Sequence, residues 1–212
     1  VAFLGFTGFF TWLQGSDVFF RKQADLLAFF ETAKWTLFFF IPAITMRMLA
    51  EEKKTGTIEL LLTKDVSDRQ VVLGKYLGCL LLVVIALLFT IPYYLTVSRL
   101  GNIDHGATLS GYLGLVLLSS AYIGIGLFAS SITNNQIVAF ILALVIGIFF
   151  QFIFDMLSNG TTGFIGELFN TLSMNNHFDS IKRGVLDSKD LIYFFSISAL
   201  GIFFAELAIK NR

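Results

Sequence analysis

The segment EEKKTGTIELLLTKDVSDRQVVLGKYLG, residues 51–78, is densely charged in a chain that is otherwise strongly apolar. It separates two long apolar stretches, it contains five Lys and Arg residues, and Arg47 stands just before it. Clustered Lys and Arg residues keep a short loop on the cytoplasmic side of a membrane, because such loops resist translocation. The segment therefore predicts a cytoplasmic loop between two membrane spans.

The composition is typical of an integral membrane protein. Hydrophobic residues make up 56% of the 212 residues, 25 residues are Phe, and the mean hydropathy is +0.78. Charged residues make up only 14%, against about 25% in soluble domains. The 15 basic and 15 acidic residues balance, which argues against a nucleic-acid partner, and one cysteine excludes an intramolecular disulfide.

The apolar stretches predict one all-α transmembrane domain with six spans over 1–212. A hydrocarbon core about 30 Å thick needs about 20 apolar residues for each helical crossing. Residues 1–13 are apolar but too few, and the chain begins with Val, so we interpret this span as truncated. The other predicted spans are 33–50, 71–97, 111–131, 136–155 and 190–209. Pro42 and Pro92 predict kinks in the second and third spans.

The basic loop, taken as 51–70, sets the predicted orientation. It places 14–32, 98–110 and 156–189 outside, although eight Lys and Arg residues then lie inside and seven outside. The orientation therefore depends on the density of basic residues in the loop. Within 156–189, residues 162–169 are amphipathic and predict a short outer helix, and 178–185 predict a second one.

The middle of the loop has the pattern of a short amphipathic helix. Thr57 is a suitable N-cap, and Glu59 in the first turn suits the positive end of the helix dipole. An apolar face follows at helical spacing, made of Ile58, Leu61 and Leu62. Two interpretations remain open from the residues alone: an ordinary interfacial helix, or a docking element for a soluble partner.

Two further motifs concern helix ends and helix packing. Ser67 followed by Gln70 is a capping box that predicts the start of the third span. Gly124 and Gly126 match a dinucleotide-binding GxGxxA pattern, but they lie within an apolar span with no strand before them. We therefore interpret these glycines as sites of close helix packing.

Polar residues inside the spans have two interpretations. Tyr122 and Gln151 are candidates for lining a pathway, as are Ser119 and Ser120. Serine commonly bonds to the backbone of its own helix in membranes, so packing is the favoured interpretation for the two serines.

The sequence argues against an enzyme. It has no GxxxxGK[ST] phosphate loop, so ATP energy would have to come from another polypeptide. No Ser–His or Asp–Asp pair lies at matching depth in the predicted spans. His105 and His177 each stand alone in an outer segment, so we expect neither a catalytic nor a metal site.

Several motifs together resemble type-2 ABC exporter permeases. Residues 51–62 and 74–78 resemble the E-x-x-x-G-T-x-E-x-L-L … G-K-x-x-G signature of these proteins. Residues 135–140 (NQIVAF) and 177–185 are most similar to the gliding-motility-associated permease group. This resemblance implies a six-helix permease fold and a partner ATPase subunit that binds ATP and magnesium.

The resemblance also implies two functional surfaces. By position, 57–64 correspond to the coupling helix that docks on the ATPase, and the expected coupling residues are Gly56, Thr57, Ile58, Glu59, Leu61 and Leu62. A second permease subunit, identical or different, is expected to pack through spans two and five. The expected interface and pathway residues are Phe38, Phe39, Ile41, Phe149 and Phe150.

The function implied by the resemblance is ATP-driven export across the cytoplasmic membrane, linked to gliding motility or secretion. The chain would then be a multi-pass, non-enzymatic subunit surrounded by lipid, with an accessory extracytoplasmic protein as a further candidate partner. An alternative is a membrane anchor that transmits force in a motility or secretion machine without transporting a solute.

Overall fold

The computed structural model describes residues 1–12, 25–56 and 67–210. These residues form helices joined by turns, with no strand among them. The helices are α1 (Ala2–Trp12), α2 (Leu27–Thr45), α3 (Ala50–Thr55), α4 (Asp68–Leu88), α5 (Ile91–Leu100), α6 (His105–Ser131), α7 (Gln136–Ile148), a π-helical segment (Phe149–Ile153), α8 (Phe154–Gly160), α9 (Phe164–Leu172), α10 (Met174–Lys182) and α11 (Ser188–Lys210).

Five helical stretches in the described residues are long and apolar enough to cross a membrane. They are Leu27–Thr55, Asp68–Leu100, His105–Ser131, Gln136–Gly160 and Ser188–Lys210. Helix α1 is apolar but shorter. The expectation of an all-α, multi-pass membrane protein is confirmed, while the count of six spans remains a prediction.

Helix α6 is the centre of the bundle and packs against α2, α4, α7, α10 and α11. Glycines let its neighbours approach at the level of the backbone. A Cβ atom on Gly201 of α11 would overlap the backbone of Gly124, and one on Gly126 would overlap the side chain of Thr45 in α2. The interpretation of Gly124 and Gly126 as packing residues is confirmed.

Neighbouring helices also approach α6 closely at glycines nearer its start. A side chain at Gly111 would overlap the Phe30 ring of α2, and one at Gly114 would press on Ile181 and Phe178 of α10. Membrane helices associate through close packing because lipid supplies no hydrophobic force between them. The glycines of α6 therefore decide how closely the other helices can gather around it.

The serines of α6 serve packing. Ser119 is fully buried and donates to the Leu115 carbonyl at 2.6 Å. Ser120 donates to the Leu117 carbonyl at 2.7 Å, and its oxygen lies 2.9 Å from the Ser198 hydroxyl of α11. Packing, the favoured interpretation of both residues, is confirmed.

The two prolines of the spans behave differently. Helix α4 ends at Leu88 and α5 begins at Ile91, with Pro92 in its first turn, so the break predicted there is confirmed. Helix α2 is a single helix through Pro42 and ends at Thr45, where the Met46 amide donates to the Pro42 carbonyl at 2.9 Å, and a kink at Pro42 stays a prediction.

Two short helices occupy 164–182, as expected, but with different bounds. Helix α10 starts at Met174 because the Ser173 hydroxyl caps it, accepting from the Asn176 amide at 3.4 Å. It ends at Lys182, since Gly184 has a φ of 91°, which favours glycine and stops the helix before 185. Helices α9 and α10 mark what we call the far end of the bundle, and α3 marks the near end.

The π-helical segment Phe149–Ile153 joins α7 to α8 within a single membrane-length stretch. A π-turn adds a residue to the helix and rotates the residues beyond it, and such turns occur frequently at functional sites. Nothing in the local sequence predicts it. The segment turns Gln151 into the interior of the bundle, where it is 2% exposed.

We predict that Gly201→Ala destabilises the fold by about 1–3 kcal/mol, because the added methyl group overlaps the Gly124 backbone. The measurement is thermal unfolding of the purified chain in detergent. Gly74→Ala is the matched control, since a Cβ atom at Gly74 meets nothing within 4 Å. Equal unfolding temperatures for the two variants would contradict the role of this contact.

Candidate functional site

The near end of the bundle holds the start of the predicted coupling loop against α6. The buried Ser130 hydroxyl accepts hydrogen bonds from the Leu49 amide at 3.1 Å and the Ala50 amide at 3.0 Å. It also donates to the Met46 carbonyl at 3.1 Å. The first amides of a helix lack partners within the helix, so Ser130 completes the start of α3 from a different helix.

Two lysines strengthen this attachment. The Lys53 ammonium group of α3 donates to the backbone carbonyl of Ser131, the last residue of α6. Glu52 of α3 and Lys75 of α4 form an ion pair at 2.5 Å, with the side chains 26% and 20% exposed. Helix α3 is therefore bonded to α6 through Lys53 and to α4 through Glu52. Helices α3 and α4 flank the predicted coupling loop.

Gly56 ends α3 with a φ of 71°, a left-handed conformation that favours glycine. The chain then enters 57–66, which are outside the described residues. The predicted coupling residues Thr57, Ile58, Glu59, Leu61 and Leu62 lie there, and their role stays a prediction. After the loop, the predicted capping box of Ser67 and Gln70 is confirmed and begins α4.

The residues predicted at the subunit interface differ in their exposure. Phe38 and Ile41 are buried inside their own subunit, with Phe38 packed against Gly147 of α7. Phe150 is partly buried against the core. Phe39 and Phe149, in contrast, are 49% and 46% exposed, so a partner can contact these two without rearrangement.

Polar side chains form a chain of hydrogen bonds inside the bundle. The Tyr122 hydroxyl of α6 donates to Gln151 Oε1 at 2.8 Å, and Gln151 Nε2 lies 3.4 Å from Asn175 Oδ1 of α10. The Lys34 ammonium group of α2 donates to the same Asn175 oxygen at 2.9 Å. We call Lys34, Tyr122, Gln151 and Asn175 the polar network.

The polar network lies largely away from the lipid-facing surface. Lys34 is 6% exposed, and Tyr122 and Gln151 are each 2% exposed. Gln151 is about 22 Å along the helix from Gln136, so it lies within the thickness of a hydrocarbon core about 30 Å deep. Tyr122 and Gln151, both candidates for lining a pathway, are hydrogen-bonded to each other within the subunit, and a pathway role for them stays a prediction.

A buried charge accompanies the network. The Lys34 ammonium group pairs with Glu31 at 2.8 Å and lies 5.6 Å from the centre of the Phe178 ring. Charged residues within membrane spans are costly and occur mainly where function or a partner requires them. Lys34 and Asn175 are the network members that sequence reasoning missed, although a lysine inside an apolar stretch is a visible signal.

At the far end, Lys182 of α10 forms ion pairs with Glu31 of α2 and with Asp179, the latter at 2.9 Å. Burial lowers the pKa of Lys182, but hydrogen bonds and charge attraction from both carboxylates outweigh it and raise the pKa above its ordinary value. Lys182 therefore stays charged and holds α10 against α2.

His177 does not stand alone, contrary to expectation. Its Nδ1 lies 2.6 Å from the Asp190 carboxyl group of α11, and the pair is buried. The two residues are 13 positions apart on different helices, so neither sequence spacing nor helical periodicity predicts the contact.

The arrangement defines a class: a multi-pass helical membrane protein whose α3 is anchored to a central span at one end and whose interior contains a polar network. Residues 16–204 match the family model described as ABC-2 family transporter protein. Because the match covers most of the chain, the chain belongs to this family and is a permease component of an ABC transporter. No curated protein matches the chain.

Family membership confirms the resemblance to type-2 ABC permeases, and it implies an ATP-binding partner subunit. Membrane domains of this family are typically not catalytic, in keeping with the non-enzymatic expectation. The gliding-motility-associated subgroup stays a prediction.

We predict that Ser130→Ala loosens α3 by about 1–3 kcal/mol, because two buried amides lose their acceptor. Hydrogen exchange of residues 46–55 should accelerate while exchange in the centre of α6 stays unchanged. Ser131→Ala is the matched control: among the described residues its hydroxyl donates to the Phe128 carbonyl of its own helix, and the backbone carbonyl that binds Lys53 remains. Acceleration in both variants alike would contradict the specific role of Ser130.

Proposed function

We propose that this chain is the membrane half of an ATP-driven exporter and that segment 57–64 couples ATP hydrolysis in a partner subunit to movement of the spans. The observation that carries the proposal is the anchoring of α3 on Ser130 and Ser131 of α6. The segment leaves directly from this anchored helix through Gly56.

A displacement of segment 57–64 can reach the bundle through two connections. Through α3 it reaches α6, the helix that contacts α2, α7, α10 and α11. Through the Glu52–Lys75 ion pair it reaches α4. Because α3 is bonded to both α6 and α4, a displacement of the segment is passed to several spans together.

The polar network supports a path from these spans to the far end. Tyr122 lies on α6, Gln151 on the π-helical segment, Asn175 on α10 and Lys34 on α2. Hydrogen bonds between such groups are directional, so a shift of α6 relative to α7 changes their geometry. In this proposal the network transmits motion of α6 to α10 and thereby to the outer surface.

We predict that Glu59→Lys reduces stimulation of ATP hydrolysis, measured on the permease reconstituted with its ATP-binding subunit. The change reverses a charge in the first turn of the predicted coupling helix, where an acidic residue also suits the helix dipole. Membrane insertion and thermal stability should remain unchanged, because no span is altered.

Glu167→Lys is the matched control for this experiment. Glu167 is an exposed acidic residue in the first turn of α9, at the opposite end of the bundle. It should leave ATP hydrolysis unaffected. Normal assembly and hydrolysis with Glu59→Lys would show that docking does not depend on Glu59.

We further propose that two permease subunits pack through α2 and α7, with an amphipathic substrate passing between walls rich in Phe and Leu. Phe39 on α2 and Phe149, the first residue of the π-helical segment that follows α7, support this arrangement, because both are about half exposed and α2 packs against α7. Side chains on other spans are exposed as well, so exposure alone does not identify the interface between subunits. Cross-linking tests this surface directly.

We predict that two differently tagged chains, one with Phe39→Cys and one with Phe149→Cys, form a disulfide-linked dimer in an ATPase-active complex. Cys79 is replaced by Ser in both chains, and placing the cysteines on separate chains excludes an intramolecular bond. Ile41→Cys replaces Phe39→Cys in the control and should not cross-link, since Ile41 is fully buried. An active complex without a Phe39–Phe149 cross-link contradicts this interface.

A further inference from the structure

Two hydrogen-bond acceptors face the two ring nitrogens of His177. Nδ1 lies 2.6 Å from Asp190 Oδ1, and Nε2 lies 3.0 Å from the backbone carbonyl oxygen of Thr171. His177 and Asp190 are 6% and 1% exposed, so both bonds are largely shielded from bulk water. The ring is further fixed by the Tyr193 ring, which stacks on it at 4.1 Å.

These contacts determine how many protons the pair must hold. A carbonyl oxygen only accepts, so the Thr171 bond requires hydrogen on Nε2. If Asp190 is ionised, Nδ1 must carry hydrogen as well, and His177 is an imidazolium. If His177 is neutral, Asp190 must carry the hydrogen on Oδ1. In both cases the pair holds one proton more than a neutral histidine beside a carboxylate.

The second oxygen of Asp190 supports the same count. Asp190 Oδ2 is buried and has no hydrogen-bond partner among the described residues. An ionised carboxylate with an unsatisfied buried oxygen is costly, and more so beside an uncharged ring. The extra proton makes the pair electrically neutral as a whole and removes most of that cost.

We propose that His177 and Asp190 form a proton-binding site that locks α9 and α10 to α11 at the far end of the bundle. A polar cavity of about 220 Å³ adjoins the pair and gives the proton a route. Its other lining residues are Asn170, Thr171, Asn176, Ser180 and Lys189. The ligand of this site is the proton itself.

The neighbouring charged groups bond to residues other than His177 and Asp190. Lys189 of α11 lines the same cavity but pairs with Asp187 at 3.2 Å. On α10, Asp179 pairs with Lys182, which also binds Glu31 of α2. Asp155 of α8 accepts from Asn175 at 3.4 Å.

Other facing groups are uncharged or point elsewhere. Helix α9 contributes the Thr171 carbonyl, and its acidic residue Glu167 accepts from the Thr171 hydroxyl through its backbone oxygen. Tyr193 of α11 contributes its ring face, and its hydroxyl donates to the Leu172 carbonyl. Helix α6 contributes Tyr122, whose hydroxyl is bonded to Gln151.

Loss of the proton weakens the contacts by which His177 and Asp190 hold α9 and α10 to α11. The pair then carries a buried negative charge, and one ring nitrogen loses its hydrogen and faces an acceptor without a bond. A histidine that has left these contacts holds the extra proton only below about pH 6.5, its ordinary pKa. A lock that requires this proton therefore weakens as pH rises above that value.

Asp190→Asn is the informative variant because it mimics the proton-loaded pair. The Asn amide group donates to Nδ1 of a neutral His177 whose Nε2–H still binds Thr171, so every bond is kept without a titrating proton. Hydrogen exchange of residues 171–190 is measured in the wild-type chain and this variant at the same pH, from about 6 to 9. Comparison at equal pH cancels the intrinsic pH dependence of exchange.

We expect the ratio of wild-type to variant exchange to rise with pH, approaching about tenfold per pH unit as the single proton is released. His105→Gln is the control in the wild-type background, since His105 is exposed and bonds to Tyr94 at 2.7 Å away from this cavity. It should leave the rise unchanged. A ratio that does not vary with pH would overturn the proposal.

A second measurement does not depend on the Asp190 variant folding. In the His105→Gln chain, His177 is the only histidine, so its ring ¹⁵N resonances are unambiguous. We expect Nε2 to remain protonated across the locked range. A neutral ring with its hydrogen on Nδ1 alone would overturn the proton count. Both measurements use the permease chain by itself, so they are independent of ATP coupling.

Discussion

Close packing around α6 is the constraint on which the rest of the structure depends. In lipid, apolar side chains gain nothing by leaving one hydrocarbon environment for another, so helices must associate by contact at short range. Gly124 meets Gly201 at the backbone, and Gly126 receives Thr45. Glycines thereby do in this bundle what a hydrophobic core does in a soluble protein, and they explain why the most buried helix is also rich in small residues.

That central position brings α6 into contact with both ends of the bundle. At the near end its last residues, Ser130 and Ser131, bond to the helix that leads into the proposed coupling segment. Further along, Tyr122 begins the polar network that reaches α10 through Gln151 and Asn175. One helix therefore contacts the elements that would receive an ATP-driven push and the elements that would respond at the far surface.

Two kinds of contact hold the helices together: close approach at glycines, and hydrogen bonds between buried polar groups. The glycine contacts depend on close approach, so an added side chain must displace a neighbour, whereas the polar network depends on hydrogen-bond direction and the His177–Asp190 pair also on protonation. Lys34 and Asp190 carry ionisable groups inside the bundle, where a charge without partners is costly. Asn175 of α10 accepts from Lys34, and His177 of α10 pairs with Asp190, so α10 is an integral part of the packed bundle.

The sequence by itself determined the class, the spans in outline, the capping box at Ser67 and the packing role of Gly124 and Gly126. Composition, apolar length and local hydrogen-bond patterns are short-range properties, and each can be read from neighbouring residues. Only the tertiary structure decided that Ile41 faces inward, that a π-turn directs Gln151 into the interior, and that His177 meets Asp190. These outcomes depend on which helices lie side by side and at what rotation, and no single helix contains that information.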